Sequence, residues 1–255
     1  MCELLGMSFN RPVSPALSIR GFGHRGLGNP DGWGIAHYSG DTLRLIKEPF
    51  SAENSNLTEF VWDQPGMNSR IYVAHVRTAS CGSAAYRNTH PFYQRNQDQD
   101  WVFAHIGNLK QFQAQLPLAE YRPIGETDSE WSFCYLMDRI KAHGARWDEE
   151  GCCWLCDQFR FINGLGEFNC LLSDGSYLFA YHGYYRHGTK LWALNSAVDA
   201  RPEHGFVIAN RPLTDEKWEE FERGELKVFR EGELVFSSQE QYPREHRSIS
   251  PSAPK

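Results

Sequence analysis

The sequence predicts an α+β fold in which antiparallel sheets are covered by helices. Two segments read as β-hairpins, strand-like segments dominate both ends of the chain, and the helical patterns lie between blocks of strands. A doubly wound parallel sheet needs single strands alternating with single helices, and that rhythm is missing.

Taken in order, the chain opens on MCELLGMSF, whose second residue is a cysteine. GIAHYSGDTLRLIK alternates apolar and polar residues around Ser39, Gly40 and Asp41, the pattern of a hairpin. ENSNLTEFVWDQ reads as a helix, and RIYVAHVRT and WVFAHIGN read as strands. TDSEWSFCYLMDRIKAHG is helical: Trp131, Phe133, Cys134, Leu136, Met137 and Ile140 recur at helical spacing, and Gly144 ends the run. Another helix is expected from about Trp147 to Ile162. FNCLLSDGSYLFAYH places Asp174 and Gly175 between two apolar runs, the favoured chemistry of a two-residue turn. KLWALN, GFVIAN and LKVFREGELVF supply the last strands. Residues 2–236 form one expected domain, and residues 237–255, without periodic apolar positions, a flexible tail.

With 255 residues there is ample chain for a core. A formal net charge of -6 argues against nucleic acid or an anionic membrane as partner, and no apolar run reaches the length of a membrane span. A small-molecule substrate in the cytoplasm fits better, because seven cysteines without paired spacing or a signal segment do not read as a disulfide framework. CCWLC, with Cys152, Cys153 and Cys156, has no second half to complete a metal site and reads as buried helical thiols. GFGHRG, residues 21–26, matches the dinucleotide fingerprint by letter, but the Gly- and Pro-rich residues after it break the helix that fingerprint requires. No metal and no cofactor is expected.

Four stretches carry candidate chemistry. If Met1 is removed, Cys2 holds a thiol and a free α-amine on one residue, a nucleophile with its own base; otherwise it is a small hydrophobe in a strand. Arg77, followed by Thr78 and Ser80, lies at a strand end, where a guanidinium can grip a carboxylate or simply face solvent. In GETDSE, Thr127 and Glu130 have the spacing of a capping box, and Asp128 falls in the first helical turn, able to face a ligand ammonium. AHIGNL ends a strand in His105, Ile106, Gly107 and Asn108, where the Gly107 amide can approach a reacting carbonyl or make an ordinary turn.

In their order, MCELLG, HVRTAS, NTHPF, AHIGNL and GETDSE resemble the class II glutamine amidotransferase domain, an N-terminal-nucleophile hydrolase. NPDGWGIAHY, FNCLLSDGSYLFAY and IANRPLTDEKW are similar to its short stand-alone members. The resemblance implies a four-layer α/β/β/α sandwich of two antiparallel sheets. It implies that Cys2, freed of Met1, attacks the side-chain amide of glutamine or of a small γ-glutamyl compound, forms a γ-glutamyl thioester and releases ammonia or an amine. Arg77 would hold the substrate α-carboxylate and Asp128 its α-ammonium, with Ser80 and His90 in the pocket wall and the Gly107 amide as an oxyanion donor.

One position departs from the family. Where the family has His-Asn-Gly, with the asparagine as second oxyanion donor, this chain has Ile106, which cannot donate; Asn108 could serve only with a rearranged loop. The domain fills most of the chain, which leaves ammonia to a separate partner protein or makes plain hydrolysis the reaction. A glutamine-binding sensor with an impaired oxyanion hole is the other reading.

Overall fold

The computed structural model describes residues 2–14, 22, 30–52, 55, 57, 67–144, 146–184, 189–195 and 203–241. Its strands are β1 (Glu3–Val13), β2 (Trp33–Ser39), β3 (Thr42–Glu48), β4 (Ser69–Val76), β5 (Phe92–Asn96), β6 (Gln99–Leu109), β7 (Gly166–Ser173), β8 (Tyr177–His182), β9 (Trp192–Asn195), β10 (Gly205–Ala209), β11 (Glu219–Glu220), β12 (Glu225–Arg230) and β13 (Glu233–Ser237). The two long helices are α1 (Asp128–His143) and α2 (Glu149–Asn163).

The strands form a seven-stranded sheet in the order β11-β9-β10-β1-β4-β2-β3 and a six-stranded sheet in the order β13-β12-β8-β7-β6-β5. Every described pairing is antiparallel, as the sequence predicts. The strand that begins behind Cys2 is central, with β10 on one side and β4 on the other.

Period-two alternation sorts each strand into two faces. Between the sheets lie Leu4, Ala36, Tyr38, Ile71, Val73, Val102, Ala104, Ile106, Leu171, Leu178 and Ala180. The opposite face of the six-stranded sheet, with Phe103, Phe168, Cys170 and Phe179, packs against α1 and α2. The opposite face of the seven-stranded sheet carries Leu5, Met7, Ile35, Tyr72 and Ala74, covered by Phe22, Ala52, Met67 and Trp218. The helix expected at ENSNLTEFVWDQ lies almost entirely outside the described residues, as does GFGHRG apart from buried Phe22.

Both helices begin at side-chain caps. Thr127 accepts from the Glu130 amide at 3.1 Å, and Asp148 accepts from the Gly151 amide at 3.0 Å. The reciprocal half of the capping box is absent. Instead of returning to Thr127, the Glu130 carboxylate accepts the amides of Ile124 (3.0 Å) and Gly125 (2.6 Å), which fixes the loop before the helix. Gly144 ends α1 in the left-handed region at φ 63°. In α2, Cys152, Leu155, Cys156, Phe159 and Ile162 form the buried stripe. Burial pushes the thiols of Cys152 and Cys156 up to about 12 and about 11, so CCWLC is core and not reactive chemistry.

The β7–β8 connection also differs from the expected two-residue turn. It spans Asp174, Gly175 and Ser176, because the Asp174 carboxylate draws in the amides of Ser176 and Tyr177 and takes the Trp147 indole N–H at 3.1 Å. At the far end, Ser237 closes β13 and Ser238–Gln241 makes one helical turn whose Ser238 hydroxyl accepts from the Leu226 amide, so ordered chain runs past residue 236.

The segment before β5 lies directly against β2. A Cβ added at Gly34 would stand 2.4 Å from the His90 carbonyl and 2.6 Å from Lys47 Cβ, so any side chain there must push main chain aside. Gly34→Ala is expected to cost about 1 to 3 kcal/mol, read as a lower urea midpoint at unchanged m-value. Wild-type stability would show that the segment is not packed as described.

Candidate active site

Cys2 stands at the entrance of β1, and three interactions fix it. The Leu4 amide donates to Asn210 Oδ1 at 2.7 Å, Asn210 Nδ2 donates to the Cys2 carbonyl at 3.4 Å, and the Asn210 amide donates to the Leu4 carbonyl at 3.3 Å. Asn210 thus continues the β1–β10 ladder with its side chain just beyond the last paired residues, Leu5 and Ala209. Buried Glu3 is ion-paired with Arg211, on the sheet face opposite to Cys2.

The Cys2 thiol lies against the chain that leaves β4. The Thr78 amide donates to Sγ at 3.2 Å and Sγ–H donates to the Thr78 carbonyl at 3.3 Å. Burial pushes the thiol up from its ordinary value, against the pull of the Thr78 amide and the Arg77 charge. At neutral pH the group is therefore a thiol, not a standing thiolate.

Arg77 is buried, not solvated, and both terminal nitrogens of its side chain shape the loop beyond it. Nη1 donates to the carbonyls of Asp31 (3.3 Å) and Ser83 (3.1 Å), and Nη2 to those of Cys81 (2.7 Å) and Gly82 (3.1 Å). The Asp31 carboxylate accepts from the Ala79 amide at 2.7 Å. Four main-chain carbonyls hold a buried guanidinium that has no carboxylate partner among the described residues, and the same bonds curl residues 78–83 over the end of the sandwich. Ser80 is exposed on that loop.

Three histidines sit beneath this loop. His75 and His90 stack with ring centroids 4.2 Å apart, and none of their four ring nitrogens reaches a hydrogen-bond partner among the described residues. Burial holds both neutral: His75 is pushed down to about 3, and His90 also falls well below its ordinary value, with Arg77 and the neighbouring imidazoles adding to the effect. His105 lies on the other face of β6, where Nε2 faces the Glu167 carbonyl at 3.3 Å and Nδ1 meets Ser129 Oγ at 2.9 Å. The carbonyl partner requires the proton on Nε2, which leaves Nδ1 to accept from the serine.

Asp128 does not face outward. It is buried, with Oδ2 accepting the Leu109 amide at 2.7 Å and Oδ1 the Ser129 amide at 2.9 Å, so it ties the start of α1 to the end of β6. Gly107 is obligatory: its φ is 157°, and a Cβ there would lie 1.8 Å from the Glu167 carbonyl oxygen. Ile106 points into the cluster between the sheets on which Cys2 also packs, whereas Asn108 is exposed and registers opposite Glu167. The loop rearrangement that would bring Asn108 to Cys2 is absent. A cleft of about 420 Å³ lined by Tyr38, Gly40, Arg70, Gly175 and Arg230 opens at the opposite end of the sandwich, away from these groups.

The model of class-II glutamine amidotransferases matches residues 1–253. This chain belongs to that family. The "Putative glutamine amidotransferase YafJ" of Escherichia coli is 36% identical over 92% of this chain and 100% of its own, and an uncharacterized protein of Methanocaldococcus jannaschii is 43% identical over 93% of this chain and 72% of its own. Among solved structures, a "predicted glutamine amidotransferase" from Pseudomonas aeruginosa superposes with a TM-score of 0.69 at 27% identity, covering 92% of this chain and all of that one. The glutamine phosphoribosylpyrophosphate amidotransferase of B. subtilis, at 20% identity over 93% of this chain and 49% of its own, shares the fold with a TM-score of 0.67.

The amidotransferase is accordingly an enzyme of glutamine-amide hydrolysis or transfer. Among the described residues no helix is long and apolar enough to cross a membrane. Of the residues marked in the sequence, Cys2, Arg77 and Ile106 converge at one end of the sandwich, with His90 beneath them. Asp31 and Asn210 were missed. GFVIAN reads as a strand and NPDGWG as a Gly- and Pro-rich break, and nothing local in either says that the Asn210 side chain reaches the start of β1 or that of Asp31 the Ala79 amide.

Asn210→Ala removes both side-chain bonds at β1's entrance. It is expected to lower kcat for amide cleavage at least tenfold with a smaller change in KM, and to cost about 1 to 3 kcal/mol of stability; steady-state kinetics beside urea unfolding reads both. Equal kcat would show that Cys2 needs no such hold. Protonation gives a second expectation. His75 in the unfolded chain titrates near 6.5 and in the fold near 3, so the stability it contributes is complete above pH about 6.5 and is lost as pH falls toward 3. In His75→Leu the acid limb should be shallower by up to one proton, about 1.4 kcal/mol per pH unit. An unchanged limb would place the proton uptake elsewhere.

Proposed function

We propose that this enzyme cleaves the side-chain amide of glutamine, or of a small γ-glutamyl compound, through a γ-glutamyl thioester on Cys2. The observation that carries the reading is the Cys2 thiol at the head of a central strand, held between the amide and carbonyl of Thr78. Its raised pKa means that a base must take the proton at the moment of attack. With Met1 removed, the α-amine of the same residue is that base. Proton transfer to the amine frees the sulfur pair to bond the amide carbon, whose π electrons move to oxygen. Collapse breaks the C–N bond, the amine returns the proton to the leaving nitrogen, and water hydrolyses the thioester.

Arg77 and Asp128 are assigned the substrate α-carboxylate and α-ammonium, Ser80 and His90 the pocket wall, and the Gly107 amide one oxyanion contact. Both charged groups already hold main chain, so each carries two tasks. A substrate carboxylate at Arg77 must displace carbonyls of the loop or meet an edge of the guanidinium they leave open. Asp128 retains acceptor capacity beyond its two amides. The ammonia passes to a partner protein or to solvent, and the cytoplasm is the proposed compartment.

Ammonia release from glutamine and from a panel of γ-glutamyl amides, beside intact-mass analysis, tests this. Cys2→Ala should lose more than about 1,000-fold in kcat, and a γ-glutamyl mass should appear on Cys2 of protein lacking Met1. Turnover that survives Cys2→Ala removes the nucleophile; full activity with Met1 attached removes the amine.

A further inference from the structure

Acyl transfer at Cys2 leaves a negative oxygen that must be met by aligned donors in a dry site. Most of the inner face around Cys2 offers none: Leu4, Ala104, Ile106, Leu171 and Ala180 are apolar. The Asn210 amide is already spent on the Leu4 amide and the Cys2 carbonyl, and a second side-chain amide stands on this face. Asn169 of β7 is buried and pairs directly with Ile106, so the two side chains share the face that looks toward the other sheet. Leu171, on the same face of β7, touches β1, since a Cβ at Gly6 would lie 2.9 Å from its Cδ1. Asn169 lies two residues, about 6.6 Å, further toward the end of the sandwich where Cys2 sits.

The orientation of this amide is fixed. Asn169 Oδ1 accepts from the Gly183 amide at 3.0 Å, which forces Nδ2 to the other side. There Nδ2 makes one long contact, 3.5 Å, to the Ile106 carbonyl. An NH₂ group has two hydrogens, and this contact uses one of them poorly. We infer that Asn169 Nδ2 is the second oxyanion donor of this enzyme, reaching past Ile106 from the neighbouring strand to the oxygen formed when Cys2 attacks. The inference rests on Cys2 being the nucleophile. Donating to a full negative charge is a stronger bond than the existing contact, so the amide gains most in the transition state, where a catalytic group must act.

Asn169→Asp separates the roles. It keeps the shape and an acceptor for the Gly183 amide but removes the donor at neutral pH. The expected result is a loss of about 100-fold or more in kcat with KM within threefold, beside a lower urea midpoint because the new carboxylate oxygen faces the Ile106 carbonyl. A residue that only holds Gly183 would leave kcat intact in this variant, and that outcome overturns the proposal. If the aspartate variant fails to fold, Ile106→Asn in the native background decides. With Asn169 already donating, it changes kcat by only a few-fold; a gain near 100-fold would mean that the hole lacked its donor, and the proposal fails. A diazoketone analogue of glutamine, mapped by peptide mass, keeps the two readings apart. A label on Cys2 upholds the nucleophile whatever Asn169 does, and a label elsewhere removes the nucleophile itself.

Discussion

The site depends on how the first three residues of a central strand are held. A strand in the middle of a sheet needs partners on both sides, yet β10 supplies regular pairing only as far as Leu5. Asn210 completes the ladder by turning its side chain into a strand, taking the Leu4 amide and the Cys2 carbonyl. On the other side β4 pairs through Val76 and then departs, the Arg77 amide bonding to Gly32. The chain that departs there is what meets the thiol. Residues near a chain end would otherwise fray, and the thiol proposed as nucleophile would lose most of its advantage if misplaced by an ångström.

Electrostatics around the thiol follow from the same packing. His75 and His90 are kept neutral by burial, so, with the Lys47 ammonium held by the Thr89 and Pro91 carbonyls, the cationic charge that bears on the thiol is the guanidinium of Arg77, surrounded by carbonyl dipoles. Carbonyls do not cancel that charge; they offset its desolvation and leave its field available to a carboxylate. A carboxylate partner in their place would have neutralised it. The buried carboxylate of Asp128, fixed by two amides, stands as the complementary charge at the start of α1. These opposite charges, held apart by separate main-chain cradles, are the pair proposed above to meet the amino-acid end of the substrate.

Much of the fold was legible because long periodic segments announce themselves. The hairpin at Ser39–Asp41, the stripe of α1 and its Gly144 cap appear where the pattern puts them. β5 and the two-residue β11 were not legible, since FYQRN and EE are too short for a period to emerge. At the site, local motifs exposed Cys2, Arg77, Gly107 and Asp128. What they hid was register. Asn210 acts on a residue 206 positions away, and Asp31 on one 48 positions away. The Arg77 side chain looked free for a ligand because a sequence does not show that residues 81–83 curl back upon it.

Ile106 is a conflict between local expectation and family pattern, and the packing gives it a physical sense. The sheets approach closely where Gly6 meets Leu171, and an isoleucine beside that contact excludes water from the base of the site. Excluding water lowers the local dielectric, which strengthens each remaining donor and raises the penalty for misaligned ones. A branched apolar side chain on β6 can therefore coexist with catalysis provided that an adjacent strand supplies an amide whose orientation is already fixed. Asn169 meets that condition through Gly183, a contact made by main chain and so indifferent to which residue stands at position 106.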